Sequence, residues 1–326
     1  MIVCVVLLAL LASPAPGSDG DPWPVKGKLI GKDDKKSEDV SGIACTTQKD
    51  FPRACLVIDD NLQSAQFVTV EDGKLVTGEP VKLIDDKFKD EALELDGEGV
   101  AFSKGSYYVI GSHGHPRDKK GNLDPVNDAQ EIKARIAAAS QIVRFRADEG
   151  ETAKIERTAN LRKLIAADPN LAPFMDRRLE KNGLTIEGIA VKDDATLFAG
   201  FRGPLLDNNE SAVVMSVPVD ALFAGSAVQP KLFRLKLGGR GVRDLVSFEG
   251  GLLILAGPAA DGPGTYAIYA WDGMGETVGP SFELTQFDPK RKPEGLLPLD
   301  RSGTELRVLI LFDGDKEGAP TPVRVK

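Results

Sequence analysis

The chain has 326 residues, 42% hydrophobic and 28% charged, enough apolar matter for a large buried core. Its formal charge of -8, with no basic run, argues against nucleic acid and anionic membrane as partners. The one long apolar run, residues 2–12, is too short to span a bilayer, so no membrane span is expected.

Small residues follow that run at Ser13-Pro14-Ala15-Pro16-Gly17, the pattern of a secretory signal peptide. Residues 1–17 are therefore expected to be removed and the remainder, 18–326, to form one domain exported to the periplasm or beyond. In an oxidising compartment Cys45 and Cys55, on consecutive predicted strands, are expected to form a disulfide. Two separate buried thiols are the alternative.

Short apolar strands separated by turn residues fill nearly all the rest. A strand at 25–30 precedes the group 41–44, 54–58, 66–70 and 75–83. The next groups start at Glu98 (with 107–111, 141–146, 154–159) and Glu187 (with 196–201, 212–217, 231–237). The last two start near Asp244 (with 252–256, 266–271, 280–286) and at Glu294 (with 306–312, 322–326). Four strands per repeat describe a propeller blade. The expected fold is all-β, a five-bladed β-propeller in which the amino-terminal strand completes the last blade and hides both sheet edges. Two helical insertions, about 125–141 and 160–182, belong to the second blade; the latter opens on Asn160 as a helix cap and breaks at Asp168-Pro169. Topology puts both on the face where the repeats begin, as a lid or wall over the mouth of the axis, or as simple decoration of that face.

Each repeat begins on a variant of Leu184-Thr185-Ile186-Glu187-Gly188-Ile189-Ala190: Ser41-Gly42-Ile43-Ala44, Glu98-Gly99-Val100-Ala101, Arg243-Asp244-Leu245-Val246 and Glu294-Gly295-Leu296-Leu297. Around an axis these starts converge Ser41, Glu98, Glu187, Asp244 and Glu294. Two carboxylates at about 5 Å repel by roughly 3 kcal/mol at an effective dielectric near 20, so such a ring needs compensation. An oxygen-only ligand set suits Ca²⁺. The alternative is neutralisation by proton uptake, buried water and Arg243. Loops on the same face add Asp59, Asp60, Ser112, His113, His115, Arg117, Arg202, Asp313 and Asp315. His113 is the candidate acid or base, and Arg117, Arg202 and Arg243 are candidates to hold an anionic group. No nucleophile elbow, P-loop or dinucleotide fingerprint stands in a suitable context.

The stretches GSHGHPRD, LTIEGIA, AGFRGPL, GGRGVRDL, LILAGPA and KPEGLL resemble a family of secreted bacterial β-propellers, a domain of unknown function, across essentially the whole mature chain. The Glu-Gly starts are also similar to phytase-like and esterase-like propellers and to calcium-activated nucleotidases (apyrases). The nucleotidase likeness implies Ca²⁺ ligation by Ser41, Glu98, Glu187 and Glu294. Asp244 departs from that pattern, with Arg243 beside it. Two functions follow as expectations: a Ca²⁺-dependent hydrolase of phosphorylated or other anionic esters, or a non-catalytic propeller binding a small ligand or periplasmic partner around a structural ion. A monomer is expected in either case.

Overall fold

The computed structural model describes residues 20–117 and 123–325; the expected signal segment lies outside them. The first sheet holds β1 (Val25–Lys26), β2 (Val40–Cys45), β3 (Arg53–Asp59), β4 (Ser64–Glu71) and β5 (Lys74–Lys82). A two-stranded ribbon, β6 (Lys87–Phe88) and β7 (Glu91–Ala92), leads to the second sheet: β8 (Gly97–Ser103), β9 (Ser106–Gly111), β10 (Ile142–Arg146) and β11 (Glu156–Thr158). The third is β12 (Thr185–Lys192), β13 (Thr196–Leu206), β14 (Ser211–Pro218) and β15 (Lys231–Leu235). The fourth is β16 (Gly241–Phe248), β17 (Gly251–Gly257), β18 (Ala267–Trp271) and β19 (Ser281–Glu283), and the fifth β20 (Lys292–Ser302), β21 (Glu305–Asp313) and β22 (Thr321–Val325). Each blade is an antiparallel meander, and the innermost strands β2, β8, β12, β16 and β20 contact one another in a closed ring of five.

The hairpins that open the second and fourth blades turn on Lys104-Gly105 and Glu249-Gly250, all four at positive φ, the backbone that tight two-residue hairpin turns require. Five apolar cores lie between neighbouring blades. Leu56, Ile58, Tyr107 and Val109 join the first and second, and Ile186, Ile189, Phe201 and Ile110 the second and third. Phe198, Phe233, Leu245 and Trp271 join the third and fourth, Leu255, Ile268, Leu296 and Ile310 the fourth and fifth. Ile43, Val57, Leu309 and Leu311 close the ring, with the Cys45–Cys55 disulfide inside that last core. Sheets packed on both faces explain why the inner strands read as nearly continuous apolar runs instead of alternating ones.

Closure uses the amino-terminal segment, by a route displaced from the expected one. The Gly20 and Trp23 amides donate to the Pro322 and Pro320 carbonyls beside β22, at 3.1 and 2.6 Å. The chain then crosses to the first blade, where β1 pairs in parallel with β5 (Val25 opposite Leu75) rather than extending the fifth. Trp23, packed in the closing core, and the proline-rich end of β22 favour this split. Two side chains fasten the same joint. Arg53 donates from Nη1 to the Pro298 carbonyl at 2.7 Å and from Nη2 to that of Leu299, and Glu317 accepts from the Leu29 amide at 3.1 Å and from Lys36 at 2.5 Å.

Both insertions attach to the second blade. Helix α1 (Ala129–Ala139) joins β9 to β10, and α2 (Asn160–Ala167) follows β11; α3 (Val219–Ala224) is a short helix after β14. Asn160 is the first residue of α2 rather than its cap: the Thr158 hydroxyl accepts its amide, and its side chain donates to the Leu222 carbonyl. Ala138 packs into the core of blades one and two, and Leu161 and Ile165 into that of blades two and three. The buried residues of both helices are committed to blade interfaces.

Candidate functional site

The repeated starts acquire their geometry from a bulge in every inner strand. Ladder register shifts between Val40 and Gly42, Gly97 and Gly99, Ile186 and Gly188, Val242 and Asp244, and Pro293 and Gly295. The residues skipped are Ser41, Glu98, Glu187, Arg243 and Glu294. A bulge re-aims the residue it inserts, and here one residue from each blade is re-aimed at the same depth. All five are at least nine-tenths buried. The glycine that follows lets adjacent inner strands touch: a Cβ on Gly188 would stand 2.8 Å from that of Leu245 in the next blade.

This register corrects the reading of the fourth repeat. Arg243, not Asp244, occupies the position equivalent to Glu187. Asp244 takes the glycine's place and turns between blades, its two oxygens accepting the Leu245 and Leu296 amides at 2.7 Å each. Burial raises its pKa well above the usual carboxylate range, against the pull of those two bonds. It is a clamp between β16 and β20 and does not join the axial set.

A guanidinium therefore sits among the axial carboxylates. Arg243 Nη1 donates to Glu187 Oε1 at 3.3 Å, its Nε lies 3.0 Å from Glu187 Oε2 without hydrogen-bond alignment, and its Nη2 pairs with Glu294. From β13, Arg202 adds Nη1 to Glu187 Oε1 at 3.0 Å, Nη2 to Asp261 at 2.7 Å and Nε to the Ala259 carbonyl at 3.2 Å. Arg117 approaches Glu187 and Asp261 only to 3.8 and 3.9 Å. Tyr266 closes this side: burial raises its phenol pKa, opposed by Arg243.

The opposite side, on blades one and two, is acidic. Asp60, Asp96 and Glu98 each offer an oxygen within 4.8 Å of the others, and Asp60 forms a second such group with Asp39 and Asp59. Burial raises the pKa of Glu98 well above the ordinary range, and Glu187, Asp96 and Asp60 push it further, against the pull of Arg117. Asp60 is raised in the same way, by burial and then Asp96 and Asp39, and Asp96 by burial against a bond from Ser112. Asp59 is raised to about 6 by burial, opposed by the Ser37 hydroxyl at 2.6 Å and the Asn61 amide at 3.0 Å. Among the described residues Glu98 makes no hydrogen bond and no ion pair, whereas Glu187 and Glu294 each have an arginine.

Among the other anticipated residues, Asp313 borders the acid cluster, bridged to Asp39 through the backbone and acting on Asp60, and the rest make contacts of their own. His113 is fully buried at positive φ, with Nδ1 at 2.9 Å from the Gly111 carbonyl and Nε2 without a partner among the described residues. Burial lowers its pKa to about 4 against the bond to Gly111, and its backbone joins the two helices, its amide donating to the Ala139 carbonyl and its carbonyl accepting from Arg162. The His115 ring contacts the Pro116 carbonyl at 3.0 Å. Asp313 pairs with Lys292 at 2.6 Å and Asp315 with Arg291. Asp96, Asp261 and Tyr266 escaped the sequence reading. Asp96 was signalled by Asp96-Gly97-Glu98-Gly99, and Asp261 by the loop rule that singled out Arg202 and Asp313.

A model of the family described as "Protein of unknown function (DUF3616)" matches residues 39–322, from just before the first inner strand to the last outer one. The chain belongs to this family. None of the curated proteins compared matches this DUF3616 chain. Among solved structures, a Phanerochaete chrysosporium exo-beta-1,3-galactanase aligns over 94% of this chain and 63% of its own, at TM-score 0.49 and 11% identity. The chain thus spans less than two thirds of that enzyme. The catalytic domain of a Coprinopsis cinerea GH62 alpha-L-arabinofuranosidase aligns over 94% and 96%, at TM-score 0.41 and 11% identity. The Aleuria aurantia lectin aligns over 87% and 75%, at TM-score 0.36 and 12% identity. These likenesses carry no activity to the DUF3616 chain.

Proposed function

We propose that this is an exported hydrolase of anionic esters whose mouth holds a calcium-type cation between Asp60, Asp96 and Glu98. The observation that supports it is the asymmetry of compensation: Glu187 and Glu294 carry guanidiniums in direct contact, while Arg117 acts on the buried Glu98 and on Asp96 only from beyond ion-pair distance. A set of carboxylate oxygens fits a hard cation and not a thiophilic one. The full axial set first considered does not fit, because Arg243 stands inside it and Asp244 spends both oxygens on amides. When bound, such a cation supplies Lewis-acid polarisation of an ester oxygen. The chain's own part is to hold that cation on blades one and two, to present Arg117 to the anionic group, and to fix Glu187 with Arg202 and Arg243.

A second reading rests on Glu98 alone. A buried glutamic acid whose pKa is raised by burial and by Glu187 suits a general acid, as glycosidic-bond cleavage by two carboxylates requires. Melting in excess chelator and in excess calcium, with a hydrolase screen of nucleotides, phytate, aryl esters and aryl glycosides, separates the two. The cation reading expects about 2.7 kcal/mol of added stability at a hundredfold excess over Kd. Glu98→Gln should lose that gain and melt higher than the wild type in chelator, since it removes a repulsion. Equal wild-type melting in both conditions sinks the cation. Glycosidase turnover indifferent to calcium and lost in Glu98→Gln establishes the second reading.

A further inference from the structure

The three arginines of the mouth are not equivalent. The Arg202 and Arg243 side chains are 4% and 1% exposed, and both guanidiniums bind carboxylates at hydrogen-bond distance. The Arg117 side chain is 41% exposed, makes no hydrogen bond among the described residues, and stays 3.8 Å from Glu187 and 3.9 Å from Asp261. Arg117 comes from the β9–α1 connection of blade two and Asp261 from the β17–β18 loop of blade four, so the pair reaches across the mouth between blades that are not neighbours. Asp261 is 55% exposed and is itself held by Arg202, whose Nε also pins the loop through the Ala259 carbonyl.

We infer that Arg117 is the arm that seizes the oxyanion of the ligand, and that Asp261, the exposed member of the carboxylates around it, is the partner the ligand displaces. A guanidinium that makes no hydrogen bond among the described residues offers the two-pronged fork that phosphate and carboxylate oxygens accept. The buried pair is committed to Glu187, Glu294 and Asp261, so specificity for charge falls on Arg117. Asp261 competes with the ligand for it: a resting ion pair lowers the fraction of arms ready to bind. This assignment deepens the reading of the mouth as an anion site, and it stands whether or not a cation occupies the acidic side. Phosphate esters and uronic acids share the required oxyanion, which the choice of probes distinguishes.

Calorimetric titration of inorganic phosphate and of glucuronate into the full chain tests it, once in calcium and once in chelator. Arg117→Ala should weaken the better probe about tenfold, and Arg117→Lys should weaken it less, keeping the charge but losing the fork. Asp261→Asn should tighten binding about threefold by releasing the arm. A merely structural Asp261 would give the opposite sign. Arg117→Ala should also tighten calcium, because a positive charge leaves the neighbourhood of Glu98 and Asp96. Neither anion binding the wild type in either buffer, or Asp261→Asn leaving affinity unchanged or weaker, overturns the assignment. Calcium failing to bind while the anion series behaves as stated removes the cation and leaves Arg117 in its role.

Discussion

Replacing Arg243 by methionine tests whether the axis is held together by charge. The side chain is 1% exposed and neutralises two carboxylates from neighbouring blades, Glu187 at 3.0 and 3.3 Å and Glu294 directly. Methionine keeps much of the volume and removes the charge. Glu187 would retain Arg202 at 3.0 Å, but Glu294 would lose its ion pair. Breaking a buried pair by deleting one partner costs about 3–5 kcal/mol, most of it from the charge left behind. Of a total stability of about 5–15 kcal/mol the variant should therefore still fold, with a much lower urea midpoint and an unchanged slope. Adding Glu294→Gln should recover most of the loss, since the uncompensated charge is then gone. Urea unfolding of the wild type, the single variant and the double variant measures all three. A single-variant loss under about 1 kcal/mol, the size of an exposed pair, would refute the claim that this contact is desolvated. A double variant no better than the single one would refute the assignment of the loss to Glu294.

Two further outcomes concern the fold around the site. His113 is held below its unfolded value, so its contribution is present above pH 6.5 and is lost as pH falls towards about 4, roughly 3 kcal/mol in all. Asp59 is held above its unfolded value, so its contribution is present below pH 3.8 and disappears as pH rises through about 6, again roughly 3 kcal/mol. The two offset each other between pH 4 and 6, and Asp59→Asn should expose the histidine as a steeper loss of stability on acidification; a pH profile parallel to the wild type's would contradict this. Reducing Cys45–Cys55, which closes a loop across the β2–β3 hairpin with a sequence separation of 10, should cost about 2–3 kcal/mol by calorimetry under thiol, and a variant with both cysteines changed to serine should melt with the reduced protein.

Much of the architecture was legible because local chemistry writes it down. The strand at 107–111, Tyr107-Tyr108-Val109-Ile110-Gly111, is a short buried run bounded by turn residues, and it is β9 with one added residue. The starts recur because each blade puts one polar residue in the bulge, followed in four of the five by a glycine where inner strands meet. The cysteines lie opposite each other because a hairpin register aligned them. The end of the ring was less legible. Residues 20–26 contain two prolines and a buried tryptophan, and the choice between β22 and β5 depends on a core built by residues from both ends of the chain.

Repeat spacing alone placed five polar side chains on one axis, the periodic product of strand length and turn chemistry. Which member of Arg243-Asp244 faces inward was beyond it, since a shift of one residue reverses the direction of a strand side chain. That shift is decided by pairing with β17 and by the Leu296 amide of the next blade, 52 residues away. The division of the mouth into a basic half and an acidic half follows from the same kind of contact. Arg202, Arg243 and Arg117 meet Glu187 only because three blades converge, and burial there turns ordinary charges into strongly coupled ones.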